Sequence, residues 1–535
     1  MNTAEKILNF IKLKVFRSEL LWIIISGALT SLTLYSDKLF LLTWFSLIPL
    51  CYFLIKNRER VLKCFLLVFL WAVVYYFILY TWFLSLHPLT IMGFSEEQSI
   101  IAVILIWISV SLAQSLEMSL AGLAYGLIKP KGVFSPLVLG ALWVVLEWAE
   151  GFGPLAMNWG RLALSQYNFT PAIQSASLFG SLFISFLIVI INGFLALYLW
   201  ELFNHKKSKK SLYITAAVIF AVNVIFGCVR IPIVNSLTKK APASPIAAIQ
   251  ADFPSVEKWE ATPSEIFDAY YDITLKAIDA GAKVIIWPET TVVVALEDSI
   301  YYSELEQLAK KEKITFIIGS IYEDEDFNSY NSLYCIDFAQ DGFSLYHKRQ
   351  LVPIGEFIPF EEFLKKFKVL EKFNLFEDSI TPGGQAVVFD TSYGKFSGLI
   401  CFDSIFQRFA YESVQNGAQV LFVATNDSWY IDSPAIYQHY GHAVLRAVEN
   451  KRFVVRAANA GVSGVISSIG RSISSLDPHE EGYVLYDVPL INSKTLYSII
   501  GDFIAYAAIA GIIAAFAYFR LLEKIYIKHK KVNNE

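Results

Sequence analysis

Residues 162–200 contain no Asp, Glu, Lys or Arg, and 211–229 is a second uncharged run. A soluble core has no use for apolar stretches of that length, whereas a bilayer does. A helix rises ~1.5 Å per residue, so ~20 apolar residues cross a hydrocarbon core ~30 Å thick. Backbone groups find no water inside it, which forces such runs to be helical. Similar uncharged runs cover 20–36, 39–55, 64–95, 98–116 and 503–519. Together they predict about eight spans, near 18–36, 39–56, 63–86, 98–127, 134–151, 174–201, 211–230 and 500–521. The fifth is the weakest of them, because Glu147 and Glu150 close it early, and its alternative is a buried or re-entrant helix.

Composition agrees with that reading. Charged residues make up 17% of the 535-residue chain, against roughly 25% in ordinary soluble domains. Aromatics at 15% exclude a disordered chain. The net charge of -4 argues against a nucleic-acid partner, which calls for a basic surface.

Lys and Arg in short loops set the orientation. One set of ends carries the basic clusters at 6–17, 56–63, 129–131, 206–210 and 520–531, while the opposite loops carry only Lys38 and Arg161. The alternation predicts both termini in the cytoplasm and the segment 231–499 on the outer face. The first span follows a basic amino terminus but has no small-residue cleavage site after it, so it reads as a helix rather than a signal peptide. The organisation expected is a membrane part over 1–230, an extramembrane domain over 231–499, and a last helix with a basic tail over 500–535.

Residues 231–499 alternate short β-rich runs (246–249, 284–287, 315–318, 332–336, 386–389, 396–401 and 420–425) with amphipathic stretches at 263–280, 300–312 and 434–450. Such alternation predicts an α/β sandwich with helices covering its sheets. Cys335 lies mid-strand and reads as core. His439 and His442 lie three apart on a helix without the carboxylate that a zinc HExxH motif needs, and read either as residues that support those of a site or as packing. No metal or organic cofactor is implied.

Three strand ends carry chemistry. Cys401 closes the run Gly398-Leu399-Ile400-Cys401, where a thiol projects above the sheet beside the N–H groups of a following helix, and those dipoles favour a thiolate. Glu289 follows Trp287-Pro288 at another strand end, placed to act as a base with a pKa raised by apolar surroundings. Lys348 follows a strand-like run ending at His347. Each comes from a different β-α unit, and such ends converge on one sheet edge in α/β folds.

Trp287-Pro288-Glu289, the stretch 348–359 with its Gly355-Glu356-Phe357, and Gly398-Leu399-Ile400-Cys401 resemble the three catalytic blocks of the nitrilase (carbon–nitrogen hydrolase) superfamily. With eight membrane spans around them, the whole chain resembles the apolipoprotein N-acyltransferases, bacterial inner-membrane enzymes. Lys258-Trp259, Tyr330-Asn331-Ser332 and the stretches around Thr425 and His439 extend the match; Phe402-Asp403 stands where that family commonly has Tyr-Glu. The resemblance implies an αββα sandwich on the periplasmic side of the inner membrane and a Glu289-Lys348-Cys401 triad. It further implies acyl transfer from a phospholipid such as phosphatidylethanolamine, through a Cys401 thioester, to the amine of a diacylated lipoprotein. Glu356, Phe402, Asp403, Trp259 and Asn331 are the supporting residues it suggests. A Phe-rich stretch (Phe357, Phe360, Phe363, Phe367, Phe373, Phe376) reads either as an arm admitting acyl chains at the bilayer surface or as ordinary packing. The alternatives are a membrane-tethered amidase, with water as acceptor, and a non-enzymatic scaffold or transporter, which Glu117 within the fourth span would favour.

Overall fold

The uncharged runs are largely helical in the computed structural model, which describes residues 19–90, 93–205, 209–254, 258, 261–364, 366, 380–430 and 432–532. The membrane part comprises α1 (Glu19–Tyr35), α2 (Ile48–Asn57), α3 (Val61–Leu79), α4 (Glu96–Ile128), α5 (Phe134–Ala149), α6 (Ser181–His205) and α7 (Ser211–Thr238), joined by a C-terminal helix over Phe503–Val532. Among the described residues, six helical segments are long and apolar enough to cross a membrane, whereas α1 and α5 have 17 and 16 residues. The expected eight spans thus divide into six of full length and two shorter apolar helices at the first and fifth expected positions.

Local chemistry explains the shifts in boundaries. The second expected span is broken: a 3-10 turn over Asp37–Leu42 and a short helix over Thr43–Ser46 precede α2. At the break, Leu47 N–H donates to the Asn192 side chain, at 3.0 Å to Oδ1, as well as to the Phe45 carbonyl of the turn before it. The sixth starts at Ser181 rather than 174, because Gly180 has φ +78° and a Cβ there would lie 2.5 Å from the Tyr497 ring. Helix α7 continues past the expected end at 230, through Pro232, to Thr238.

Basic loops gather at one end of the bundle. Lys56 and Lys63 both pair with Glu19, and Lys129 reaches Glu523 at 3.3 Å and Glu59 at 3.7 Å. The other end meets the α/β domain.

That domain is two sheets face to face. The first has the order β13-β1-β2-β4-β5-β6, with β3 beside β4: β1 (Ala243–Gln250), β2 (Val284–Ile286), β3 (Val292–Ala295), β4 (Thr315–Glu323), β5 (Ser329–Asp337), β6 (Ser344–His347) and β13 (Gly482–Pro489). The second has the order β12-β11-β10-β9-β8-β7: β7 (Phe389–Thr391), β8 (Gly394–Ile400), β9 (Val420–Asn426), β10 (Phe453–Asn459), β11 (Ser463–Ile466) and β12 (Ser472–Leu476). Helices α8 (Pro263–Asp279) and α9 (Ile300–Glu312) cover the first sheet, and α10 (Gln407–Gln415) and α11 (Ala435–Asn450) cover the second. A short helix α12 (Leu496–Ile500) then leads to α13, the C-terminal helix Phe503–Val532. The chain has the α/β sandwich architecture expected. Strands β3 and β10 to β13 lie outside the runs read from the sequence.

Ile246, Ile286, Ile317, Leu333, Ile400 and Phe422 fill the space between the sheets. The second helical layer is shared: α10 and α11 pack in one apolar core with Trp71, Trp143, Trp159 and other residues of the membrane part. Polar contacts pin the seam. Trp159 Nε1 donates to Gln438 Oε1 at 2.7 Å, Ser181 N–H donates to Glu449 Oε1 at 2.8 Å, and Arg161 donates to Gln407.

Candidate active site

Three loops converge at one edge of the sandwich. Glu289 follows β2, on a turn in which Thr290 has φ +48° and Thr291 N–H bonds the Gly319 carbonyl at 2.8 Å. Only glycine fits at 319: a Cβ would lie 2.1 Å from the Pro288 oxygen. Lys348 follows β6, its N–H held by the Asn331 carbonyl at 2.8 Å. Cys401 follows β8 in the left-handed region, at φ +46°, a conformation that costs a residue with a Cβ of order 1 kcal/mol or more. Such strain, tolerated at a strand end, is a common mark of a functional position.

The side chains form a buried ionic cluster. Lys348 Nζ lies 2.8 Å from Glu289 Oε1 and 2.8 Å from Glu356 Oε1. Asn331 Nδ2 donates to the same two oxygens, at 2.8 and 3.0 Å. Asn426 N–H donates to Glu289 Oε2 at 2.9 Å, and Val352 N–H to Glu356 Oε2 at 2.8 Å. Lys348, Glu289 and Cys401 are all nearly excluded from solvent.

Electrostatics corrects two expectations. Burial raises the Glu289 pKa, but the Lys348 charge and the donors from Lys348, Asn331 and Asn426 outweigh it, leaving the carboxyl below its ordinary value rather than above. Cys401 is not poised as a thiolate. Burial, reinforced by the negative charge of Glu289, pushes its thiol well above the ordinary range, and Lys348 only partly offsets this. The dipole argument fails because the residues after Cys401 form a five-residue 3-10 turn, Cys401–Ile405, before α10 begins at Gln407. For Lys348, burial favours the neutral amine, yet Glu289 and Glu356 lift its pKa well above the ordinary value. The resting site is therefore thiol, carboxylate and ammonium.

The supporting residues separate into distinct roles. Asp403 ties two loops together: Oδ1 accepts from the N–H groups of Gln350 (2.8 Å) and Arg349 (3.2 Å), and Oδ2 from Tyr346 Oη (2.8 Å) and Ile400 N–H (3.1 Å). Burial pushes its carboxyl up to about 6, with those donors opposing. Phe402 is buried, edge-on to Phe406 at 5.3 Å, in the core that α10 and α11 share with the membrane part. Trp259, Phe367, Phe373 and Phe376 lie outside the described residues. Phe360 and Phe363 are 56% and 58% exposed, and Phe357 is half-buried.

Several partners escape a motif reading. Lys258 is buried with Nζ 3.3 Å from the Glu289 carbonyl, and burial lowers its pKa to about 8. His439 Nδ1 lies 3.0 Å from Asp427 Oδ1, and its Nε2 lies 3.0 Å from the Cys401 carbonyl oxygen and 2.9 Å from Ser404 Oγ. Arg456 Nη2 donates to Asp427 Oδ2 at 2.6 Å. Burial raises the Asp427 pKa, but Arg456 and His439 hold it well below the carboxylate range. Of the two readings, His439 takes the supporting one: it links this ion pair to the Cys401 turn. Its adjacency to Cys401 comes from α11 packing against the Cys401–Ile405 turn, which local spacing does not reveal.

Known proteins match both halves. Residues 245–495 match the carbon-nitrogen hydrolase model and residues 26–194 the apolipoprotein N-acyltransferase N-terminal domain model. An apolipoprotein N-acyltransferase of Rickettsia bellii is 31% identical over 367 residues, covering 67% of this chain and 71% of that protein. The chain belongs to the apolipoprotein N-acyltransferase family. A second member, from Geobacter metallireducens, is 28% identical over 94% of this chain and 96% of its own length. Among solved structures, an amidase from Nesterenkonia sp. is similar at 18% identity and a TM-score of 0.37, covering 47% of this chain and 93% of that one.

Proposed function

We propose that this chain acylates the N-terminal amine of diacylated apolipoproteins, taking the acyl group from a membrane phospholipid, with Glu289, Lys348 and Cys401 as the catalytic residues. The observation that carries the reading is a buried thiol at a strand end of the sheet whose helices pack into the membrane bundle, in one buried cluster with a carboxylate and an ammonium from strand ends of the facing sheet. That arrangement brings a nucleophile to the edge of the phase that holds the donor. Orientation follows from the loop charges: the domain is periplasmic and the bundle sits in the inner membrane.

The mechanism follows from the resting charges. As Cys401 Sγ attacks the ester carbonyl, its proton passes to Glu289. The oxyanion is stabilised by the Lys348 ammonium and a backbone N–H beside Cys401, contacts worth ~3–4 kcal/mol per donor. Collapse breaks the ester C–O bond, the departing oxygen takes the proton from Glu289, and lysophospholipid leaves. The acceptor amine then attacks the thioester, gives its proton to Glu289, and the thiol is restored as the amide forms. Glu289 holds three donors through its two oxygens, so it is a weak base and proton transfer must accompany attack rather than precede it. Glu356 shares Lys348 and keeps the ammonium aimed between two carboxylates. The exposed Phe360 and Phe363 form the arm that receives acyl chains.

The acceptor step is tested by supplying phospholipid with either a diacylglyceryl-cysteine peptide or a simple amide. Labelled acyl on the peptide amine is the expected product. Hydrolysis of the amide, with no acylated peptide, would establish a membrane-tethered amidase instead.

A further inference from the structure

A cavity of about 420 Å³ lies at the seam on the far side of α10 from Cys401, and the chemistry above does not use it. Its walls come from the outer end of α5 and the turn after it (Trp148, Phe152), from α10 (Arg408, Glu412), and from the start of the last helix and the residue before it (Tyr506, Asp502). It therefore sits where two membrane helices end and the α/β domain begins, at the depth of lipid headgroups. Its volume lies within the range of ligand-binding pockets, roughly 300–1,000 Å³.

Three features define what it would hold. Arg408 is a cation without a carboxylate at ion-pair distance among the described residues; its guanidinium donates to the carbonyl of Gly151 (2.9 Å) and to Gln350 Oε1 (3.1 Å) and lies 5.0 Å over the Phe152 ring. Arginine suits phosphate, because its planar donors match the oxygens of the anion. Two carboxylates face the same space. Glu412 pairs with Arg349 at 2.6 Å, and Asp502 Oδ1 accepts from Gln407 and Tyr497. The rim is apolar and open: Phe152 after α5, Ile499 of α12 and Tyr506 of the last helix are exposed. One cation, two anions and an apolar rim match a zwitterionic headgroup with acyl chains attached.

We propose that this cavity binds an amine-bearing phospholipid as a resident ligand, its phosphate on Arg408, its ammonium towards Glu412 and Asp502, and its chains along α13. The site would be felt at Cys401. Arg408 grips Gln350, Gln350 N–H is held by Asp403, and Asp403 lies two residues from Cys401. An occupant that steadies Arg408 steadies the loop carrying Lys348. The assignment does not depend on the acyl chemistry, and a diether phosphatidylethanolamine, which has no ester to lose, tests it separately.

The test uses full-length protein in detergent and native mass spectrometry. Diether phosphatidylethanolamine should remain bound, and Arg408→Gln should weaken it about tenfold, the order expected for one charge-assisted contact. Diether phosphatidylglycerol should bind more weakly than the ethanolamine lipid. Inorganic phosphate and glycerophosphoethanolamine should not compete at millimolar concentration. A photoreactive phosphatidylethanolamine on the wild-type protein, which needs no variant to fold, should label 408–415 or 499–506. Labelling confined to other segments, equal binding by Arg408→Gln, equal binding of the glycerol lipid, or competition by free phosphate each overturns the proposal.

Discussion

The two helical layers of the sandwich have the same architecture and opposite surroundings. Helices α8 and α9 cover the first sheet with one apolar face each and turn charged faces to water. Lys310, for instance, pairs across the surface with Glu306 at 3.1 Å. Helix α11 has no such face: of its residues only Tyr437 is exposed, and Gln438, His439, His442, Arg446 and Glu449 are buried. Its polar side chains face the membrane part and the Cys401 turn. The same fold thus uses one layer as a solvated cover and the other as a mount on the bilayer. The difference teaches that a buried polar group here marks the seam between the two parts.

The largest expected effect lies where the second layer meets the chemistry. Cys401→Ala should cost on the order of 10⁴-fold or more in acyl transfer, measured as turnover of labelled phospholipid, with the unfolding midpoint little changed. Next comes the mount itself. Arg446 Nε lies 2.8 Å from Glu449 Oε2, and both are fully buried. Arg446→Met leaves Glu449 uncompensated and should destabilise the protein by about 3–5 kcal/mol in thermal or denaturant unfolding. The double variant with Glu449→Met should recover part of that loss; a double variant as unstable as the sum of the two would break the comparison.

Asp403→Asn should lower kcat/KM by about ten- to a hundredfold, the scale for a group that orients catalytic residues. It should also alter the pH profile. The carboxyl, raised from 3.8 to about 6, is needed ionised to accept its four donors, so activity falls as pH drops through about 6, and the variant lacks that limb. Stability runs the other way. A folded-state pKa above the unfolded one contributes stability that is full below about 4 and lost as pH rises through about 6. Replacing Phe360 and Phe363 by Ser should slow reaction with phospholipid several-fold more than with a soluble ester; equal slowing removes the arm. The smallest effect is on the solvated layer: Lys310→Ala should leave both the unfolding midpoint and activity unchanged.

Much of this was legible in the chain and some was not. Helices over 263–280, 300–312 and 434–450 emerge within a residue or so of Pro263–Asp279, Ile300–Glu312 and Ala435–Asn450, because apolar spacing reports a buried stripe whatever covers it. It does not report what lies on the other side, so α11 looked like any surface helix. Strand β10 was hidden because Arg456, a charge inside a central strand, is neutralised by Asp427 from the turn after β9. Strand β12 is serine-rich and exposed, and β13 gains its place by pairing with β1, more than two hundred residues earlier. The charged trio was legible through motif resemblance. Its charge state was not, because Glu289 is depressed by Lys348 and by donors from Asn331 and Asn426, and Cys401 is raised by burial beside Glu289, and these groups converge only in the fold.

The central claim is that Cys401 takes an acyl group from the bilayer. Wild-type protein incubated with phosphatidylethanolamine carrying a labelled acyl chain, with no acceptor, is digested and the peptide spanning Cys401 is weighed. The account predicts an added acyl mass on Cys401 that hydroxylamine removes and that Cys401→Ala does not acquire. An unmodified Cys401 under conditions in which the acceptor is nonetheless acylated would contradict it.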